Sequence, residues 1–150
     1  MKKLLLSIFA VSSFAANAQV TVFEDSFETY EDFAITGFGD WLTLDLDLLG
    51  TYTGGTPGAD PAWANAGAPQ AWQIFNPTTA MVVNDNNAAC SGDDEIRNFD
   101  PHTGNKYAAS WASALEGGAP VNNDFLISPV LNLGASNNVL KFWVKSMSSC

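Results

Sequence analysis

In the stretch LTLDLDLLG, Leu42 to Gly50, the carboxylates of Asp45 and Asp47 stand between leucines 44, 46 and 48. Residues two apart on an extended strand share a face. The pair is therefore either the wet side of a half-buried strand or part of a site for a hard cation, which draws oxygen ligands from carboxylates, amides and carbonyls. Spacing alone leaves both readings open. An EF-hand loop is excluded: with Asp45 at loop position 1, Asp47 and Gly50 fall correctly at positions 3 and 6, but Leu49 occupies 5 and Thr56 occupies 12. Those two positions need an oxygen ligand and a bidentate Glu, and the flanks are strand-like rather than helical.

Catalytic chemistry has little to work with. The single histidine, His102 in NFDPHTGNKY, sits in a Pro-Gly turn and reads as a hydrogen-bonded loop residue. There is no G-x-S-x-G, no H-E-x-x-H, and no cysteine that spacing pairs with a histidine. No enzyme is expected. Aromatics offer more, since Trp presents a large rigid face at glycan and protein contacts. Trp41, Trp111 and Trp143 lie in strand patterns and read as core. Trp63, in the loop DPAWANAGAPQAW, reads as exposed, and with Trp72 forms the candidate ligand-binding pair.

Short β-patterned runs must position these groups: VTVFEDSFE, WLTLDLDL, AWQIF, AMVVN, KYAASWAS, DFLISPVLNL and VLKFWVKSM. Clusters of Gly, Pro, Asn and Asp separate them, and long helical periodicity is absent apart from a weak amphipathic turn at 28–33. Many short strands with turn signals indicate an all-β sandwich or barrel. The last run alternates Leu140, Phe142 and Val144 against Lys141, Trp143 and Lys145, then stops without a following strand to pair with. Natural sheets avoid such an apolar open edge, so the domain is expected to be truncated at its C-terminus.

Residues 1–18 have a basic start, an apolar stretch and Ala16-Asn17-Ala18 before Gln19, the pattern of a secretory signal peptide. Residues 19–150 form the expected domain, exported to the extracellular space or the outer cell surface. Loss of Lys2 and Lys3 leaves four basic residues against sixteen acidic ones, a net charge of −12. Nucleic acid is excluded as a partner because its phosphates need clustered Lys and Arg, and no run is long enough for a membrane span. Cys90 and Cys150 make no disulfide scaffold; they either pair with each other, or each is incidental or has its partner elsewhere.

Taken in order, FEDSFETYEDFAITGFGDWLTLDLDLLGTYT, AWQIFNP, FDPHTGNKYAASWAS, NNDFLISPVLNL and LKFWVKS resemble the choice-of-anchor J, or cleaved adhesin, domain of exported Bacteroidota proteins. The resemblance spans Phe23 to Ser146. It implies a jelly-roll β-sandwich related to the MAM and laminin-G-like folds, non-catalytic and stabilised by Ca²⁺, in proteins commonly sorted by type IX secretion. No sorting signal is present, and the third acidic position of some relatives is Leu49 here. On this resemblance Glu28, Asp45, Asp47 and Asp124 would converge as an oxygen cage for Ca²⁺. The expected function is an adhesion or binding module for glycan or an extracellular protein. A structural spacer domain, and an accessory domain of a secreted hydrolase whose catalytic part lies elsewhere, are the alternatives.

Overall fold

The structure, a computed structural model, describes residues 20–52, 63–82, 84, 97–113 and 121–147. Residues 1–18, expected to be a signal peptide, together with Cys90, Cys150 and the 54–62 part of the Trp63 loop, lie outside the described residues. Strands dominate, and what is seen is consistent with the all-β class. In chain order the elements are β1 (Leu42–Asp45), β2 (Gln73–Phe75), helix α1 (Pro77–Ala80), β3 (Tyr107–Ala109) and β4 (Asp124–Ile127). They form two antiparallel pairs, β1 with β4 and β2 with β3.

The core is built on β2. Gln73, Ile74 and Phe75 are wholly buried, with Gln73, Ile74 and Phe75 opposite Ala109, Ala108 and Tyr107. The other edge of β2 is closed by 33–34: Phe33 N donates to Ile74 O at 2.7 Å, and Ile74 N to Ala34 O at 2.9 Å. Around Phe75 stand Phe33, Trp63, Phe99, Tyr107 and Trp111, with ring centroids 4.9–6.0 Å away. Tilted and edge-on rings at such separations add to what buried area contributes.

A buried polar group organises these rings. The Gln73 side-chain oxygen accepts from Trp63 Nε1 at 3.1 Å and Trp111 Nε1 at 3.2 Å. Its amide nitrogen donates to Phe33 O at 3.2 Å and Ala64 O at 3.0 Å. Two donors and two lone pairs are all the amide has, so every valence is used. Indole N–H groups need partners when buried, and here a single glutamine serves both.

Some expectations are corrected. Trp63, expected on the surface, is 6% exposed and part of the core, because its N–H finds Gln73 there. Trp143, expected inside, is 79% exposed. The runs at 20–28, 80–84 and 139–147 carry no named strand among the described residues. At Ala80 and Met81, the start of the 80–84 run, helix capping overrides β-patterning. Asn76 Oδ1 accepts from Thr78 N and Thr79 N, Pro77 begins the turn, and Met81 closes it in the left-handed region at φ 55°, as N-caps, N1 prolines and C-caps do.

A second, smaller aromatic group anchors the N-terminal segment. Asp25 accepts from Phe27 N at 2.7 Å, Tyr30 OH at 2.6 Å and Trp41 Nε1 at 2.7 Å. Phe23 and Phe27 pack on Trp41, and Tyr30 packs on buried Phe38. The hydrogen bond to Asp25, burial and nearby negative charge push the Tyr30 phenol up to about 12. This group delivers Trp41 to the start of β1, and so fixes the strand that carries the acidic pair.

Candidate metal centre

Asp45 ends β1 and Asp124 begins β4, and antiparallel pairing sets them opposite each other. Asp47 follows two residues on, in a turn that its neighbours stabilise. Leu48 N donates to Asp45 Oδ1 at 2.7 Å, Leu49 N to Asp47 Oδ1 at 2.9 Å, and Asn123 N to Asp47 Oδ2 at 2.7 Å. Leu46 N adds a bond to Asn123 O at 3.1 Å. Carboxylate oxygens of Asp45, Asp47 and Asp124 thus all lie within 4.8 Å of one another. The leucines between them face outward and the carboxylates are the half-buried side, the reverse of a wet acidic face.

Electrostatics reinforce the grouping. Burial, then the charges of Asp47 and Asp45, push the Asp124 carboxyl up to about 6, against a smaller opposing hydrogen bond from Asn122. Asp124 Oδ1 is buried and has no hydrogen-bond partner. An orphaned, desolvated carboxylate oxygen beside two others costs free energy unless a positive charge or proton joins it. Ca²⁺ sits about 2.3–2.6 Å from its oxygens. Oxygens within 4.8 Å of one another can therefore share one such ion. The donor set is all hard oxygen, which suits Ca²⁺ or Mg²⁺ over softer metals.

Glu28 does not join this group. Its carboxylate accepts from Asn105 N and Lys106 N, both at 2.8 Å, and from Asn105 Nδ2 at 3.4 Å. Those backbone bonds hold its pKa below the ordinary value. Beside it, Lys106 Nζ pairs with Asp32 at 2.8 Å and donates to Tyr30 O at 2.7 Å. Glu28 is thus a clamp between the N-terminal segment and the 104–106 turn. Gly104 permits it: φ is +70°, and a Cβ there would collide with the Glu28 carboxylate.

The tryptophan pair offers no joint surface. Trp63 is in the core, and Trp72 is half-buried with an indole N–H that is buried and has no hydrogen-bond partner. His102 stacks on Trp143 at 3.7 Å with a 16° interplanar angle. Sequence reasoning missed Gln73, Asp25 and Asp32, which hold the elements together. No spacing signal announces them: the partners of Asp32 lie 44 or more residues away, and those of Asp25 and Gln73 include indole N–H groups that no local motif marks. No helix among the described residues is long and apolar enough to cross a membrane.

Comparison with protein-family models, curated proteins and solved structures yields no match.

Proposed function

We propose that this chain is an exported, non-catalytic binding module of the choice-of-anchor J kind, stabilised by a divalent cation held by Asp45, Asp47 and Asp124. The two small sheets belong, on this reading, to a jelly-roll sandwich, and the ion is Ca²⁺ supplied by the extracellular medium. The observation that carries it is the approach of three carboxylates, two from paired strands and one from the turn after β1, one with a buried, unpartnered oxygen. When bound, the ion supplies fixed positive charge that ties the end of β1 to the start of β4. The residues themselves do the rest: the turn amides of Leu48, Leu49 and Asn123 orient two of the carboxylates before any ion arrives. Glycan or an extracellular protein is the proposed partner class.

The test is calorimetric titration of the secreted chain with Ca²⁺, together with melting in millimolar Ca²⁺ and in excess EGTA. A cation that binds only the folded state raises the melting temperature by mass action. Equal melting temperatures and no binding heat would sink the assignment. Burial of Trp63 favours one other reading, a spacer domain that displays a neighbour and binds nothing itself.

A further inference from the structure

The sequence holds two Asp–Pro bonds, Asp60–Pro61 and Asp100–Pro101. Such a bond is chemically weak for two reasons. An aspartate side chain reaches its own carbonyl carbon, so attack is intramolecular and proceeds at high effective concentration. Proline nitrogen belongs to a tertiary amide and leaves as a basic secondary amine. Asp60–Pro61 lies outside the described residues, whereas both residues of Asp100–Pro101 lie within them.

At Asp100 the carbonyl of that bond is gripped by a cation. Its oxygen accepts from Lys145 Nζ, which also donates to Asn98 O at 2.8 Å and Asn98 Oδ1 at 2.9 Å. The same Asn98 Oδ1 accepts from Asp100 N at 2.9 Å. Three acceptors thus hold the ammonium in place. A fixed positive charge on a carbonyl oxygen stabilises the oxyanion that forms when the carbon is attacked. The preceding residue is fixed as well: Phe99 is buried, its N–H donates to Asn84 Oδ1 at 2.7 Å, and its carbonyl accepts from Tyr107 OH at 2.9 Å. Asp100 itself is exposed to water. The charged and titratable groups about this turn are Lys145, the Asp100 carboxylate and the Tyr107 phenol, with His102 next along the chain and stacked on Trp143.

We infer that this chain cuts its own backbone between Asp100 and Pro101, with Lys145 holding the carbonyl that is attacked. An oxygen of the Asp100 carboxylate bonds to the Asp100 carbonyl carbon. The bond from that carbon to Pro101 N breaks, and the nitrogen keeps the electron pair and takes a proton from solvent. Water then opens the cyclic anhydride left on Asp100, giving free α- and β-carboxyl groups. One water is consumed, and nothing is oxidised or reduced. Each chain reacts once, so this is self-processing rather than turnover, and it is independent of the cation reading because it neither uses nor touches that site. The two pieces stay together: Phe99 before the cut and Tyr107 after it both pack on Phe75.

Intact-mass spectrometry of the secreted chain, incubated at about pH 5 and about pH 7.5, tests this. The expected result is a pair of fragments, one ending at Asp100 and one beginning at Pro101, whose masses sum to the parent plus one water. Proton delivery to the nitrogen makes the cut faster at the lower pH, and the rate is independent of chain concentration. Asp100→Ala should abolish cutting, and Lys145→Met should slow it about tenfold or more, while Lys145→Arg, which keeps a cation, should cut. Circular dichroism shows whether each variant is folded; if Lys145→Met is not, Lys145→Gln, a donor without charge, replaces it. Asp60–Pro61 is the internal reference, and the chain unfolded in urea at the same pH is the second. No cutting at pH 5, equal cutting at Asp60–Pro61, an unchanged rate in urea, or indifference to loss of the Lys145 charge would overturn the inference.

Discussion

Asp45 and Asp124 are cross-strand partners whose carboxylates, with that of Asp47, crowd the half-buried side of the β1–β4 ladder. In the absence of an ion this arrangement favours a proton. The folded-state pKa of Asp124 is about 6 against an ordinary 3.8, so the folded chain holds that proton more tightly than the unfolded one. Its stabilisation is fully present below about pH 4 and is lost as pH rises through 6, amounting to about 1 kcal/mol once solvent screening is allowed for. On the proposed reading, Ca²⁺ would have to displace the same proton. Melting curves should therefore show a Ca²⁺-dependent gain at pH 7.5 that disappears by pH 5, and Asp124→Asn should abolish the gain while raising stability in EGTA.

The Glu28 clamp has the opposite pH dependence. Its pKa is lowered by the backbone bonds from Lys106 and Asn105, so its contribution is present above the ordinary carboxylate value and lost as pH falls through the folded-state value. Glu28→Ala should cost about 1–2 kcal/mol near neutrality, the loss of charge-assisted hydrogen bonds to a turn. Gly104→Ala should cost about 1 kcal/mol or more through its positive φ and collision with the same carboxylate. Because part of that cost is the collision, the two substitutions should be less than additive in urea titrations.

Gln73→Leu keeps the volume but strands two indole N–H groups and two carbonyl oxygens in the core. Each buried orphan costs about 1–3 kcal/mol, so the loss should exceed that of any surface change and reach about 4 kcal/mol. Chemical denaturation followed by tryptophan fluorescence reads it directly, since Trp63 and Trp111 are the reporters. A loss below about 1 kcal/mol would show that the amide is dispensable.

Asn76 is a helix cap whose amide nitrogen also donates to Asp32 at 3.0 Å. Aspartate caps helices as well as asparagine does, yet here Asn76→Asp would set a carboxylate against Asp32 Oδ2, which already accepts from Thr79 Oγ1 at 2.7 Å. The expected order of stability is wild type, then Asn76→Ala, about 1 kcal/mol lower, then Asn76→Asp. Thermal melts should converge at low pH, where the repulsion is protonated away.

Local patterns in the sequence located four strands within the runs that announce them, and the acidic pair within the first. What was illegible is long-range. Asp124 reaches Asp45 only because β4 pairs antiparallel with β1, and nothing in FLISP states that register. Glu28 has the right chemistry for a cation ligand, but a turn seventy-six residues away at Gly104 offers two N–H groups that satisfy it first. The surface assignment of Trp63 failed for a similar reason: loop composition predicts exposure, whereas a buried acceptor on β2 draws the indole inward. At Pro77–Ala80 the cap signal was present in NPTTA and outweighed the β-branched residues that follow.

Strands three or four residues long hold their alignment weakly, since a ladder that short loses little by sliding one position. The Gln73 amide changes that. Moving β2 by one residue would bring Trp72 or Ile74 to the place where two indoles and two carbonyls converge, and neither side chain can answer four hydrogen-bonding groups. The glutamine thus acts as an alignment pin: it selects one strand pairing over its neighbours, and it does so from a fully buried position, where a mismatch is heavily penalised.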